Sequence, residues 1–194
     1  MVANERLVDA GGIGVHQIPN LLSILRIIAV GPIVWYLHRE AYSTALLIAF
    51  VASATDGLDG YLARRFDWRS RIGGLLDPLA DKLLQVSCYV MLTWQGFLPW
   101  WLLALVIGRD VVIVAGALAY QLLVDRVSGE PTGVSKVNTI LQLCLILWVL
   151  LDLSLLPLPQ AGFATLMAAV ALTTVISGIQ YVGIWGRRAL ASRG

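Results

Sequence analysis

Charge is scarce in this 194-residue chain: 13% of its residues are acidic or basic, 58% belong to the hydrophobic set, and the mean hydropathy is +0.79. A soluble domain would be about a quarter charged, and a disordered chain would be poorer in aliphatic residues, so both classes are excluded. Cysteine is nearly missing as well. Cys88 and Cys144 sit in apolar runs, with no CxxC and no histidine at metal spacing, so neither a disulfide framework nor a thiolate metal site is expected and packing is their role. No cleavable signal pattern is seen: residues 1–17 are mostly polar, the first apolar run carries Arg26, and no small-x-small site follows it. That run is expected to stay in the mature protein. Internal repeats, low-complexity tracts and loops long enough for a soluble domain are also missing. Residues 1–194 therefore read as one membrane domain opened by a short segment, 1–17.

A spanning helix needs about 20 mostly apolar residues. Stretches 21–37, 41–62, 75–93, 98–123, 134–151 and 163–185 approach or exceed that length. Pro19, Asn20 and Pro99 mark starts, while Gly96, Gly129, Gly133, Pro157, Pro159 and Gly162 punctuate the connections. With six spans both termini share a side. Arg6, Arg64, Arg65, Arg69, Arg71, Arg126, Lys136, Arg187, Arg188 and Arg193 fall on that side and Arg39 alone on the other, which puts both termini in the cytoplasm. Trp35, Trp94, Trp100 and Trp101 then lie at the outer boundary, Trp68 and Trp185 at the inner one, and Trp148 inside. The expected fold is an all-α integral membrane protein of six transmembrane helices.

What charge there is collects in one place. Asp56, Asp59, Arg64, Arg65, Asp67, Arg69, Arg71, Asp77, Asp81 and Lys82 all fall within residues 56–82. Read as a helix at 100° per residue, Asp56, Asp59, Gly60 and Ala63 share an arc of about 100°. The next helix must begin near residues 74–77, because Pro78 is tolerated only in a first turn. Asp77 and Asp81, four apart, then stack on one side of it. If the two faces meet, four carboxylates converge near the cytoplasmic surface. Each aspartate costs about 2.5 to 3.5 kcal/mol at mid-membrane, and mutual repulsion adds to that, so something cationic must hold them together.

Arg64 and Lys82 can supply part of that charge, but an oxygen-only cluster suits hard divalent ions such as Mg²⁺, Mn²⁺ or Ca²⁺. A pair of such ions fits phosphoryl or pyrophosphate chemistry, where charge develops on attacking and leaving oxygens. Gly57, Gly60, Gly73 and Gly74 flank the cluster. They serve either close helix packing, favoured for Gly57 and Gly74, or clearance for a ligand.

Asp56-Gly-Leu-Asp59-Gly60-Tyr-Leu-Ala63-Arg64, eight residues, then Gly73-Gly-Leu-Leu-Asp77-Pro-Leu-Ala-Asp81 resembles the signature of the CDP-alcohol phosphatidyltransferases at every defined position. The resemblance covers nearly the whole chain, since six helices and the Ile18-Pro19-Asn20 opening with Arg26 are also similar to members of the family. It implies transfer of a phosphatidyl group from CDP-diacylglycerol to an alcohol, with release of CMP, at a two-metal site on the cytoplasmic membrane surface. By that resemblance Asp56, Asp59, Asp77 and Asp81 ligate two ions, Mg²⁺ or Mn²⁺, with Ca²⁺ a non-productive ligand. Gly57, Gly60, Ala63, Arg64 and Gly73 would border the CDP part, and Asp81 would also be the general base on the acceptor hydroxyl. A metal-bound carboxylate can serve so only within hydrogen-bond reach of an acidified hydroxyl.

The acceptor is read from other residues. Arg109 and Asp110 lie deep in the fourth span, where ionisable side chains are functional candidates; the alternative is that they pair with each other or with the aspartates for structural reasons. Arg26, Arg109 and Lys136 form a set of cations able to face one cavity and suited to an acceptor carrying phosphate. Ile107-Gly108-Arg109-Asp110-Val-Val, with Ser135-Lys136-Val137-Asn138-Thr139 and Gln142, resembles the CMP-forming cardiolipin synthases, whose acceptor is phosphatidylglycerol. The closely similar phosphatidylglycerophosphate synthases, which accept glycerol 3-phosphate, are the alternative. A small transporter or proton relay is a third reading, disfavoured because a relay would scatter its groups across the bilayer. The resemblance further implies a homodimer among membrane lipids, with nucleic acid not expected as a partner; size and topology suit a bacterial inner membrane.

Overall fold

The computed structural model describes residues 18–52, 73–123 and 132–191, with side chains over 23–52, 78–119 and 132–186. Six helices lie among the described residues: α1 (Ile18–His38), α2 (described over Tyr42–Ala52), α3 (Gly73–Trp94), α4 (Trp100–Leu123), α5 (Gly133–Ser154) and α6 (Gln160–Ala191). No strand occurs among the described residues. Among the described residues three helical stretches, Trp100–Ala119, Gly133–Ser154 and Gln160–Gly186, are long and apolar enough to cross a membrane.

The helix ends follow local chemistry. At the end of α3, Phe97 N–H bonds the Leu92 carbonyl and Gly96 N–H bonds the Thr93 carbonyl, with Gly96 at φ +87°. This paired closure needs a left-handed residue, and glycine adopts it without a Cβ clash. α1 closes the same way, through Ala41 to Tyr36 and Glu40 to Leu37, but the left-handed residue is Glu40 at φ 58°. No glycine announced that turn. Thr132 caps α5 by accepting the Ser135 N–H. α3 begins at Gly73, one residue before the expected window, so Pro78 stands in its second turn rather than its first. The bond that Pro78 forgoes would go to the Gly74 carbonyl, in the first turn of the helix, which limits the loss.

α1 packs along α3, and α4 and α5 both pack on α6, while α3 touches α4 and α5. Polar contacts fix the directions. Arg26 meets Asp81 in the first halves of α1 and α3, and Gln95, just past α3, bonds the Leu37 carbonyl in the last turn of α1, so these helices run parallel. Asn138 meets Thr174 and Trp148 meets Gly162, so α5 and α6 run antiparallel. Ile18, Gly73 and Gly133 consequently begin their helices at one end of the bundle, where α6 finishes.

The core combines Ile33 and Leu37 of α1 with Leu84, Cys88, Tyr89 and Leu92 of α3, Leu102 and Val106 of α4, Leu145 and Val149 of α5, and Val170 of α6. On α1, α3, α4 and α5 their i, i+4 spacing draws one apolar stripe along the helix. Large apolar residues also point outward, among them Leu47, Phe50, Val114, Leu118, Ile140, Leu172 and Ile179. Such an inside-and-outside apolar surface suits helices solvated by lipid. Trp35, Trp94, Trp100 and Trp101 are exposed at the end opposite the charged motif, and Trp94 meets Trp100 edge to face at 6.4 Å.

Candidate active site

The contact between α1 and α3 is tied at the charged motif. Arg26, two turns into α1 and 3% exposed, donates from Nη1 to Asp81 Oδ1 at 2.5 Å. Asp81 stands one helical turn beyond Asp77 on α3, and its side chain is 61% exposed. The buried guanidinium orients this carboxylate from behind. Its second oxygen makes no hydrogen bond or ion pair among the described residues, so it stays available to a ligand.

Lys82, the next residue, is turned about 100° around α3. Its ammonium donates to Asp110 Oδ2 on α4 at 2.6 Å, and Asp110 Oδ1 accepts from Arg109 Nη1 at 2.8 Å. Arg109 is in turn held from two further helices. Nε and Nη2 donate to Ser177 Oγ of α6 at 3.1 and 2.9 Å, Nη2 also donates to Ser135 Oγ of α5, and the Tyr181 ring lies 5.8 Å away. One guanidinium–carboxylate pair thus joins α3, α4, α5 and α6. Such saturation is how a charge is kept at membrane depth. Beside it, Gly108 and Gly178 leave a groove of about 400 Å³ between α4 and α6, floored by the Arg109 stem and walled by Val112, Ile179 and Val182.

A rung of neutral polar groups lies next to this network. Gln85 Nε2 donates to Gln142 Oε1 at 2.5 Å, Gln142 Nε2 donates to Thr174 Oγ1 at 3.4 Å, and Thr173 and Thr174 hydroxyls both donate to Asn138 Oδ1 at 2.8 Å. The Tyr89 hydroxyl adds a bond to the Gln142 carbonyl at 3.3 Å.

The structure distributes the expected site residues as follows. Asp81 is on α3 against Arg26, Asp77 is one turn before it, and Gly73 opens the helix. Asp56, Gly57, Asp59, Gly60, Ala63 and Arg64 lie outside the described residues. Among the described residues no three His, Cys, Asp or Glu side chains group as a metal site; of the four expected ligands, only the Asp81 side chain is described. The three cations expected around one acceptor have three different surroundings. Arg26 holds Asp81, Arg109 is locked among α4, α5 and α6, and Lys136 is exposed on the first turn of α5 with no ion pair among the described residues. Sequence reasoning did not assign Ser177, Tyr181 or Gln85. Their signal was present: they are polar residues inside apolar stretches, recurring on the faces that meet Arg109 and Gln142.

The profile of the CDP-alcohol phosphatidyltransferase domain matches residues 16–176, which takes in α1 to α5 and half of α6. The chain belongs to this family. Among curated relatives, it is 37% identical over 185 residues to a Schizosaccharomyces pombe cardiolipin synthase (CMP-forming)/mitochondrial hydrolase fusion protein, covering 86% of this chain and 31% of that protein. It is 38% identical over 146 residues to human cardiolipin synthase (CMP-forming), covering 66% and 48%. A probable phosphatidylglycerophosphate synthase of Mycobacterium tuberculosis is 34% identical over 183 residues, covering 89% and 83%. The chain thus spans less than half the length of these two cardiolipin synthase relatives. As a CDP-alcohol phosphatidyltransferase homologue, it shares the family with both names, and identity does not separate them.

Proposed function

We propose that the chain transfers the phosphatidyl group of CDP-diacylglycerol to a hydroxyl of phosphatidylglycerol, forming cardiolipin and releasing CMP. The observation that carries this reading is the family signature ending on Asp81, an open carboxylate held by a buried arginine. Asp81 takes the proton of the acceptor hydroxyl as that oxygen bonds to the phosphatidyl phosphorus and the bond to CMP breaks. Asp56, Asp59, Asp77 and Asp81 would hold two divalent ions, Mg²⁺ or Mn²⁺, an all-oxygen donor set that fits them and to which the second oxygen of Asp81 is open. When bound, these ions would neutralise charge on the transferred group. Glycerol 3-phosphate is the second acceptor considered, favoured by the relative from Mycobacterium tuberculosis, most of whose length this chain covers.

The reading includes six spans with both termini in the cytoplasm of a multi-pass inner-membrane protein, and a homodimer. Alternating helix directions support the topology, as does the placement of Arg26, Lys82 and Lys136 toward one end and of Arg39 with the exposed tryptophans at the other. The test is purified protein with CDP-diacylglycerol and each acceptor in parallel, with the lipids separated. CMP release that needs a divalent ion, with cardiolipin formed from phosphatidylglycerol, is expected. Release that persists in chelator would sink the metal mechanism, and phosphatidylglycerophosphate from glycerol 3-phosphate alone would exchange the acceptors.

A further inference from the structure

Arg109 is buried within the bundle, yet it is poorly disposed to meet a ligand. Its side chain is 5% exposed and already makes four hydrogen bonds, to Ser177, Ser135 and Asp110. Lys82 is its opposite. Its side chain is 35% exposed, and among the described residues its ammonium bonds only Asp110, so two of its three N–H directions are uncommitted. It also directly follows Asp81, which sets their Cα atoms about 3.8 Å apart. A phosphate reacting beside Asp81 therefore lies within the span of a lysine side chain. Arg26, the other cation beside Asp81, is buried behind it.

We propose that Lys82 contacts a phosphate of the substrates and that Asp110, fixed by Arg109, is the positioning residue that holds the Lys82 ammonium there. The clamp orders a flexible side chain before the ligand arrives, so less freedom is lost on binding. It also gives Arg109 its role at a distance: the guanidinium sets Asp110, and Asp110 sets Lys82. This rests on the phosphatidyl-transfer reading, because that reading supplies the phosphates, either the diphosphate of the donor or the phosphate of the acceptor.

The chain has two lysines, Lys82 and Lys136, which makes amine footprinting unambiguous. Full-length protein in phosphatidylcholine vesicles is acetylated alone, with CDP-diacylglycerol, with phosphatidylglycerol or with glycerol 3-phosphate, and the Lys82 peptide is quantified by mass spectrometry. Acetylation of Lys82 is expected to slow about tenfold or more with one of these ligands, in line with a charge-assisted contact. Protection by the donor alone assigns the diphosphate, and protection by an acceptor alone assigns that phosphate. Equal labelling in every arm, or no labelling without ligand, overturns the contact. For the positioning role, Lys82→Met, Asp110→Asn and the double variant form a cycle. Each single change is expected to lower kcat/KM about 10- to 100-fold, mainly through KM of the protected substrate, with the double no worse than Lys82→Met. Losses that multiply would show that Asp110 acts independently. Asp110→Glu, which keeps a charge for Arg109 while moving the Lys82 partner, serves the same cycle where Asp110→Asn does not fold. Wild-type protein that releases no CMP refutes the phosphatidyl-transfer reading; release with Lys82 unprotected refutes only the contact.

Discussion

Two arginines, Arg26 and Arg109, are both more than nine-tenths buried, and they differ in everything else. Arg26 reaches a carboxylate that is mostly open, on the helix that carries half of the aspartate signature. Arg109 reaches two serines, an aspartate and a tyrosine drawn from three helices. Burial therefore does not separate a site arginine from a structural one; the exposure of its partner does. An open partner is available to a ligand, whereas Arg109 spends its own hydrogen-bonding capacity on the fold.

The most damaging change on this view is at the open partner. Asp81→Asn keeps an oxygen for Arg26 but removes the proposed base, and CMP release should fall about 100- to 10,000-fold with the melting temperature in detergent nearly unchanged. A loss of folding in parallel would make Asp81 a structural residue instead. Arg109→Ala should invert that pattern. Removing one partner of a buried charged network typically costs about 3 to 5 kcal/mol, so the protein should melt far earlier or fail to assemble. An Arg109→Ala protein that melts normally and loses only acceptor use would return Arg109 to the acceptor site. The smallest effect expected is at the glycines. A Cβ at Gly116 would lie 2.6 Å from Trp185 Cδ1, so Gly116→Ala should destabilise by about 1 to 3 kcal/mol, whereas Gly31→Ala, with nothing within 4 Å, should not. Equal thermal stability of the two would mean that Trp185 yields easily.

The parts of the fold that the sequence made legible were those set by local rules. Apolar runs located α4, α5 and α6, and Gly96 announced the end of α3, because length and φ preference act on neighbours in the chain. The left-handed turn at Glu40 was invisible, since no glycine stands there to advertise it. The placement of Asp77 and Asp81 one turn apart on α3 was readable from their four-residue spacing. The partners of Arg109 were not, because Ser135 and Ser177 lie 26 and 68 residues away along the chain and nothing local connects them. The cation set showed the limit most clearly: sequence could count Arg26, Arg109 and Lys136 as cations able to face one cavity but could not say that two of them were already engaged.

The rung formed by Gln85, Gln142, Asn138, Thr173 and Thr174 keys three helices against sliding. Shifting α5 along α6 by one turn, about 5.4 Å, would part Asn138 from both threonines and Gln142 from Thr174 together, leaving amides unpaired in a region with no water to replace them. Shear is thereby closed to this half of the molecule. Any motion that opens this half must come from tilting it as a block, or from α1 and α2, which share no such rung among the described residues.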